Sequence, residues 1–76
     1  MKNLLEFLLN HIVDNPQDLE IIEEEDYRGK VYQIRANPED VGKVIGRRGS
    51  KIKAIRKICQ VLAIKRGESC KIMIAE

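Results

Sequence analysis

The chain holds no tryptophan, one histidine and two cysteines in 76 residues, and each shortage closes off a class of chemistry. Cys59 and Cys70 sit among aliphatic neighbours with no CxxC and no Cys/His spacing, so they read as small core hydrophobes rather than as part of a metal site. His11 falls in the first helical pattern without a serine or cysteine beside it, which makes it a surface or interface residue, since a base needs a positioned nucleophile or substrate. No glycine has a Gly-Lys pair at the phosphate-loop spacing, and Gly42, Gly46 and Gly49 do not follow a strand in G-x-G-x-x-G order. Nucleotide hydrolase and dinucleotide enzyme are therefore poorly supported. Nothing supplies a nucleophile with a base or paired carboxylates beside these glycines, so no enzyme, no catalytic residue, no metal and no cofactor is expected. No apolar run approaches the ~18 residues of a membrane span, and no basic stretch followed by an apolar one and a small-residue cleavage site opens the chain. The expected location is the cytoplasm.

Acidic residues are missing from one long stretch. Between Val41 and Gly67 there is no Asp or Glu, while Lys43, Arg47, Arg48, Lys51, Lys53, Arg56, Lys57, Lys65 and Arg66 all fall there. Residues 1–40 carry ten acids and four bases (−6) and residues 41–76 ten bases and two acids (+8), so the net +2 hides two poles. A solvated helix face ordinarily mixes both signs. Single-sign clustering of this kind is the footprint of a polyanion partner. At 43% hydrophobic and 34% charged the composition is that of a soluble globular domain, and a chain this short buries only about 60% of its unfolded surface, enough for one core.

In chain order, Leu5, Leu8, Leu9 and Ile12 recur at helical spacing, so residues 2 to about 14 read as an amphipathic helix stopped by Asn15-Pro16. Leu4, Phe7 and Val13 widen its apolar surface and suggest self-association. Leu19 to about Glu25 reads as a strand whose run Glu23-Glu24-Glu25-Asp26 is a solvated edge, adjacent strand positions facing opposite ways and offering no metal cage. Tyr27-Arg28-Gly29 supplies a turn. Val31–Ala36 then alternates, with Tyr32, Ile34 and Ala36 toward the helices. Asn37-Pro38-Glu39-Asp40 is a helix start: N-cap, Pro at the first position, and acids facing the positive end of the dipole. That short helix runs to about Val44 or Ile45, where Gly46 stops it. A longer helix opens at Ser50, with Ile52, Ile55, Cys59 and Leu62 as its apolar stripe and Lys53, Arg56, Lys57 and Gln60 opposite. Lys65-Arg66-Gly67 ends it, and Cys70, Ile72 and Ile74 alternate as a last strand. The order is α-β-β-α-α-β.

The centre of the pattern is Ile45-Gly46-Arg47-Arg48-Gly49 between the two helices. Glycine at both ends permits positive φ and leaves no Cβ in the way of a large ligand, so the glycines are expected to shape the backbone. Two adjacent guanidinium forks on a bare turn suit phosphate oxygens. The Ser50 hydroxyl is placed to accept from a first-turn N–H, and the remaining free amides make the helix start an anion site. With Ile52 and Ile55 following, the stretch resembles the Ile-Gly-x-x-Gly signature of the KH (K-homology) RNA-binding domain, whose loop clamps the backbone of about four nucleotides of a single strand. By size and element order the whole chain is similar to the small stand-alone bacterial KH proteins of the KhpA kind.

The resemblance implies an α+β fold of the type II (prokaryotic) KH form, a three-stranded mixed sheet with helices on one face. It implies one domain over 1–76, the first helix and strand within 1–26 and the core motif with its loop within 30–75. It also implies non-catalytic binding of single-stranded RNA, as a chaperone or post-transcriptional regulator, working as a homodimer or with a second KH-containing bacterial protein of the KhpB kind. Arg47, Arg48, Lys51 and the loop backbone would hold phosphates, with Lys43, Ser50, Lys53 and Arg56 adding polar contacts. Ile45, Ile52 and strand residues such as Ile34 would line an apolar groove under the bases. The alternative is a protein-interaction or ribosome-assembly module that uses the same fold for docking.

Overall fold

Alternation and turn chemistry build the sheet. In the computed structural model, which describes residues 1–75, β1 (Glu20–Asp26) and β2 (Gly29–Arg35) pair antiparallel with Ile21 opposite Ile34 and Glu23 opposite Tyr32. The turn between them is Tyr27-Arg28; Gly29 already belongs to β2. The Asp26 carboxylate accepts from the amides of Arg28 (2.7 Å) and Gly29 (3.1 Å) and so shapes the turn. Gly29 has φ +134°, and a Cβ there would stand 2.4 Å from the carbonyl oxygen of Ser69, so no other residue fits. β3 (Cys70–Ala75) runs parallel to β2 on its other side, Ile72 beside Tyr32 and Ile74 beside Ile34. The sheet is mixed, as expected, and its strand order is β1-β2-β3.

Strand parity then sorts the side chains. Ile21, Tyr32, Ile34 and Ile72 point to one face and are buried under the helices, whereas Gln33, Arg35, Lys71 and Met73 lie on the other. On the covered face, burial and the Glu23 carboxylate push the Tyr32 phenol well above its ordinary range. Leu5 and Leu9 of α1 (Lys2–Asn10), Val44 of α2 (Pro38–Ile45) and Ile52, Ile55 and Cys59 of α3 (Ser50–Lys65) complete the core. Each fully buried aliphatic side chain stabilises the fold by about 1.5–3 kcal/mol.

Two elements depart from the sequence expectation. The first helix stops at Asn10 instead of about residue 14. The amides of His11 and Ile12 turn back to Leu8 and Leu9, and those of Asp14 and Asn15 leave the helix for the carboxylate of Asp40. The inner stripe of α3 ends on Ala63, which is buried, and not on Leu62, which is 36% exposed. The chain reverses over Ala63, whose carbonyl accepts from the amides of Arg66 and Glu68 while Gly67 takes φ +69°. No helix among the described residues is long and apolar enough to cross a membrane.

Candidate nucleic-acid interface

α2 begins as its sequence dictates: the Asn37 side chain accepts from the Glu39 amide at 2.9 Å and Pro38 occupies the first turn. Asp40, expected only to face the helix dipole, is instead fully buried and accepts from the Asp14 amide (3.2 Å), the Asn15 amide (3.0 Å) and the Asn15 side chain (3.1 Å). Burial opposes its ionisation, but those hydrogen bonds and the nearby Lys43 outweigh burial and hold the carboxyl below its ordinary value. This anchor fixes α2, and with it the position of the loop that follows.

The loop itself is a single 3-10 turn, Arg47–Gly49, closed by the Gly49 amide on the Gly46 carbonyl at 3.2 Å. Gly46 has φ 77° and ψ 175°, and a Cβ on it would lie 2.8 Å from the Lys51 amide nitrogen, so backbone conformation and space both demand glycine. Gly49 has φ 76°, and a Cβ on it would meet only ordinary van der Waals contacts, Lys53 at 3.7 Å and Ile52 at 3.9 Å, so only conformation constrains it. The glycines are not alone in shaping the turn. Arg48 itself adopts φ 54° and ψ 28°, the left-handed region that non-glycine residues occupy uncommonly. The result throws Arg47 and Arg48 into solvent, beside exposed Lys51 and Lys53 on the first turn of α3.

Ser50 does not cap the helix. It already has helical angles (φ −62°, ψ −42°), Gly49 stands at the cap position, and no side chain caps the first turn. The first-turn amides therefore keep their capacity for an anion.

The remaining candidates divide. Ile45 is half-buried against the core, and Ile52 and Ile34 are 5% and 0% exposed. Ile34 sits at the centre of the helix-covered face between Ile21 and Ile74, which closes it to a base. Lys43 forms ion pairs with Asp14 and, at 4.0 Å, Asp40, so its ammonium is engaged within the protein. Arg56 has a different role from a plain surface cation: its Nε donates to the Ile72 carbonyl at 3.3 Å.

That bond locates the groove. Because a strand residue turns its N–H and C=O to the same side and the next residue to the other, the Ile72 carbonyl pointing at α3 places the outer backbone edge of Cys70, Ile72 and Ile74 along a groove. Arg56 and Gln60 form its helical wall and β3 its other wall, enclosing about 500 Å³. Burial pushes the Cys70 thiol up, which keeps it protonated and uncharged at neutral pH. Arg56 is the expected contact, whereas the strand part of the lining, expected at Ile34 of β2 beside Ile45 and Ile52, comes from β3. The missing information was strand order, since only the parallel pairing of β3 with β2 makes β3 an outer edge.

A basic Gly-x-x-Gly turn between two helices, the second lying beside an edge strand of an α-β-β-α-α-β sheet, defines the type II KH fold. The family model described as KhpA/KhpB, KH domain, matches residues 2–74, and the chain belongs to that family. Among curated relatives it is similar to the RNA-binding protein KhpA of Leifsonia xyli subsp. xyli, at 42% identity over 78% of each chain. It is also similar to that of Clostridium perfringens, at 38% over 86% of this chain and 87% of the relative, and to that of Thermotoga maritima, at 42% over 82% and 83%. No solved structure matches.

Proposed function

We propose that this chain is a non-catalytic single-stranded RNA-binding protein of the cytoplasm, acting as an RNA chaperone or post-transcriptional regulator. The observation that carries the reading is the Gly46–Gly49 turn. Three of its four residues hold positive φ, and the two between the glycines are exposed arginines facing the uncapped start of α3. The name RNA-binding protein KhpA, borne by relatives matched over most of the chain, points the same way.

In this reading Arg47, Arg48, Lys51 and the first-turn amides take successive phosphates, and about four bases turn into the groove between α3 and β3. There the free edge of β3 offers hydrogen bonds and Arg56 and Gln60 offer polar side chains. Lys43 is left out of the phosphate count because Asp14 and Asp40 hold it. Three to four neutralised phosphates give log K against log salt a slope of about −2 to −3 on a single strand, at roughly −0.7 per contact. A titration of fluorescent single-stranded RNA between low and moderate salt measures it, and a salt-independent affinity contradicts the reading. Single-stranded DNA of the same sequence is the control for the 2′-hydroxyl.

A second reading concerns partners. Of the apolar surface expected on α1, Phe7 is 61% exposed, Leu4 is half-buried and Val13 is buried. On α3, by contrast, Ile58, Val61 and Leu62 are 46%, 57% and 36% exposed and share a flank away from the groove. We therefore place on α3 the surface by which two copies pair, or by which the chain pairs with a KH-containing protein of the KhpB kind. Pairing would raise the affinity of a short groove through effective concentration.

A further inference from the structure

We propose that the Tyr27-Arg28 turn is a further nucleobase site, a stacking platform for a base that extends beyond the loop and the α3–β3 groove. The proposal rests on the RNA-binding reading above and adds to it a contact at the opposite end of the molecule.

Tyr27 is 88% exposed, the most exposed large apolar side chain of the fold, and it contributes nothing to the core. Arg28 holds it in place. The guanidinium carbon lies 5.3 Å from the ring centroid and its Nε donates to the phenolic oxygen at 3.0 Å, so the ring is tethered at its hydroxyl end while its exposure leaves it open to a ligand. The turn beneath is also fixed, by the Asp26 carboxylate on two amides and by Gly29 pressed against Ser69. A rigid aromatic face loses little entropy when a base stacks on it, and such stacking tolerates any sequence because every base has a π face.

The surface between this turn and the groove is continuous. Cys70, Lys71 and Met73 line the groove and also a second depression of about 380 Å³ that reaches Arg28 and Ser69. A third depression shares Arg28 and Ser69 with that one and takes in Tyr27. Parallel pairing brings the start of β3 beside the start of β2, so the hairpin turn sits at the end of the groove far from Gly46–Gly49. A strand held at the loop and laid along the 16 residues of α3, about 24 Å, leads toward Tyr27. Glu25, Asp26 and Glu68 line this end together with Arg28 and Lys30, so the acids outnumber the bases there, unlike at the arginine turn. That balance decides the kind of contact: an uncharged base on the ring, and no backbone clamp.

The chain has two tyrosines and no tryptophan, and Tyr32 is 1% exposed, so the part of the tyrosine emission that a stacked base can quench by contact comes from Tyr27. Full-length protein is titrated with random-sequence single-stranded RNA of four and of eight nucleotides. Tyr27→Ala is expected to weaken octamer binding about five- to tenfold while leaving the tetramer within about twofold and the octamer's salt slope unchanged. Tyr27→Phe keeps the π face and loses only the hydrogen bond to Arg28, so octamer affinity should stay within about twofold, and the octamer should quench the emission of the parent but not of Tyr27→Phe. Octamer affinity unchanged in Tyr27→Ala, with tetramer binding intact, overturns the stacking site and leaves the loop reading standing. Failure of the parent to bind either length overturns both.

Discussion

Asn15 donates to Asp40 twice, from its backbone amide at 3.0 Å and from its side chain at 3.1 Å, across 25 positions of sequence. The pair ties the connection after α1 to the first turn of α2, two turns ahead of the arginine loop, and it does so with a buried carboxylate.

Acid should therefore loosen this tie. The Asp40 carboxyl is held below its ordinary value of 3.8, so its contribution to stability is fully present above about pH 4 and is lost as the pH falls through the lowered value. Asp40→Asn should lower the Tm by several degrees at pH 7, and the gap between parent and variant should narrow on acidification below pH 4. Thermal melts followed by circular dichroism at pH 7, 4 and 3 measure this. A gap that stays constant across the series would show that the carboxylate charge has no part in the tie.

The two loop glycines should behave differently. Gly46→Ala meets both a forbidden backbone and the Lys51 amide, and should cost about 2 kcal/mol or more, roughly 8–16 °C of Tm in a domain this small. Gly49→Ala meets only the positive φ and should cost ~1 kcal/mol, and Gly49→Asn less. Equal losses at the two positions would mean that the close approach of Gly46 to Lys51 does not hold in solution.

Much of this architecture was legible before any coordinates. The capped start at Asn37-Pro38, the alternation of Tyr32 and Ile34 and the glycine stop at Gly46 are local signals, and each produced the element expected. The departures from local expectation share a cause. Asn10 ends α1 because Asp40 draws away the amides of Asp14 and Asn15, and Ile34 is closed to ligand because β2 is the central strand. Lys43 is engaged because Asp14 comes from 29 positions away. Each is a relation between distant segments, and no local period encodes it. Arg48 is a different case: a non-glycine residue at φ 54° leaves no mark in the sequence when the residue is neither Asn nor Asp.

Self-association is tested on α3. Val61 is 57% exposed in the single chain, so Val61→Glu should change monomer stability by no more than about 0.5 kcal/mol while placing a charge in the proposed interface. Sedimentation at tens of micromolar should give a dimer for the parent and a monomer for the variant. A parent that sediments as a monomer, with no KH-containing partner recovered alongside it, contradicts the pairing surface.

The central claim, that the arginine turn holds phosphate, is tested most directly by reversing its charge and reading binding and stability together. Arg47 and Arg48 are exposed, and Asp is among the residues that tolerate the left-handed conformation of position 48, so Arg47→Asp with Arg48→Asp should move the Tm by only a few degrees. Single-stranded RNA binding in the same samples should fall at least about tenfold, ~1.4 kcal/mol, as attraction to phosphate becomes repulsion. A double variant that melts like the parent and binds RNA as tightly would reduce the loop to a connector between helices and leave the docking-module reading in its place.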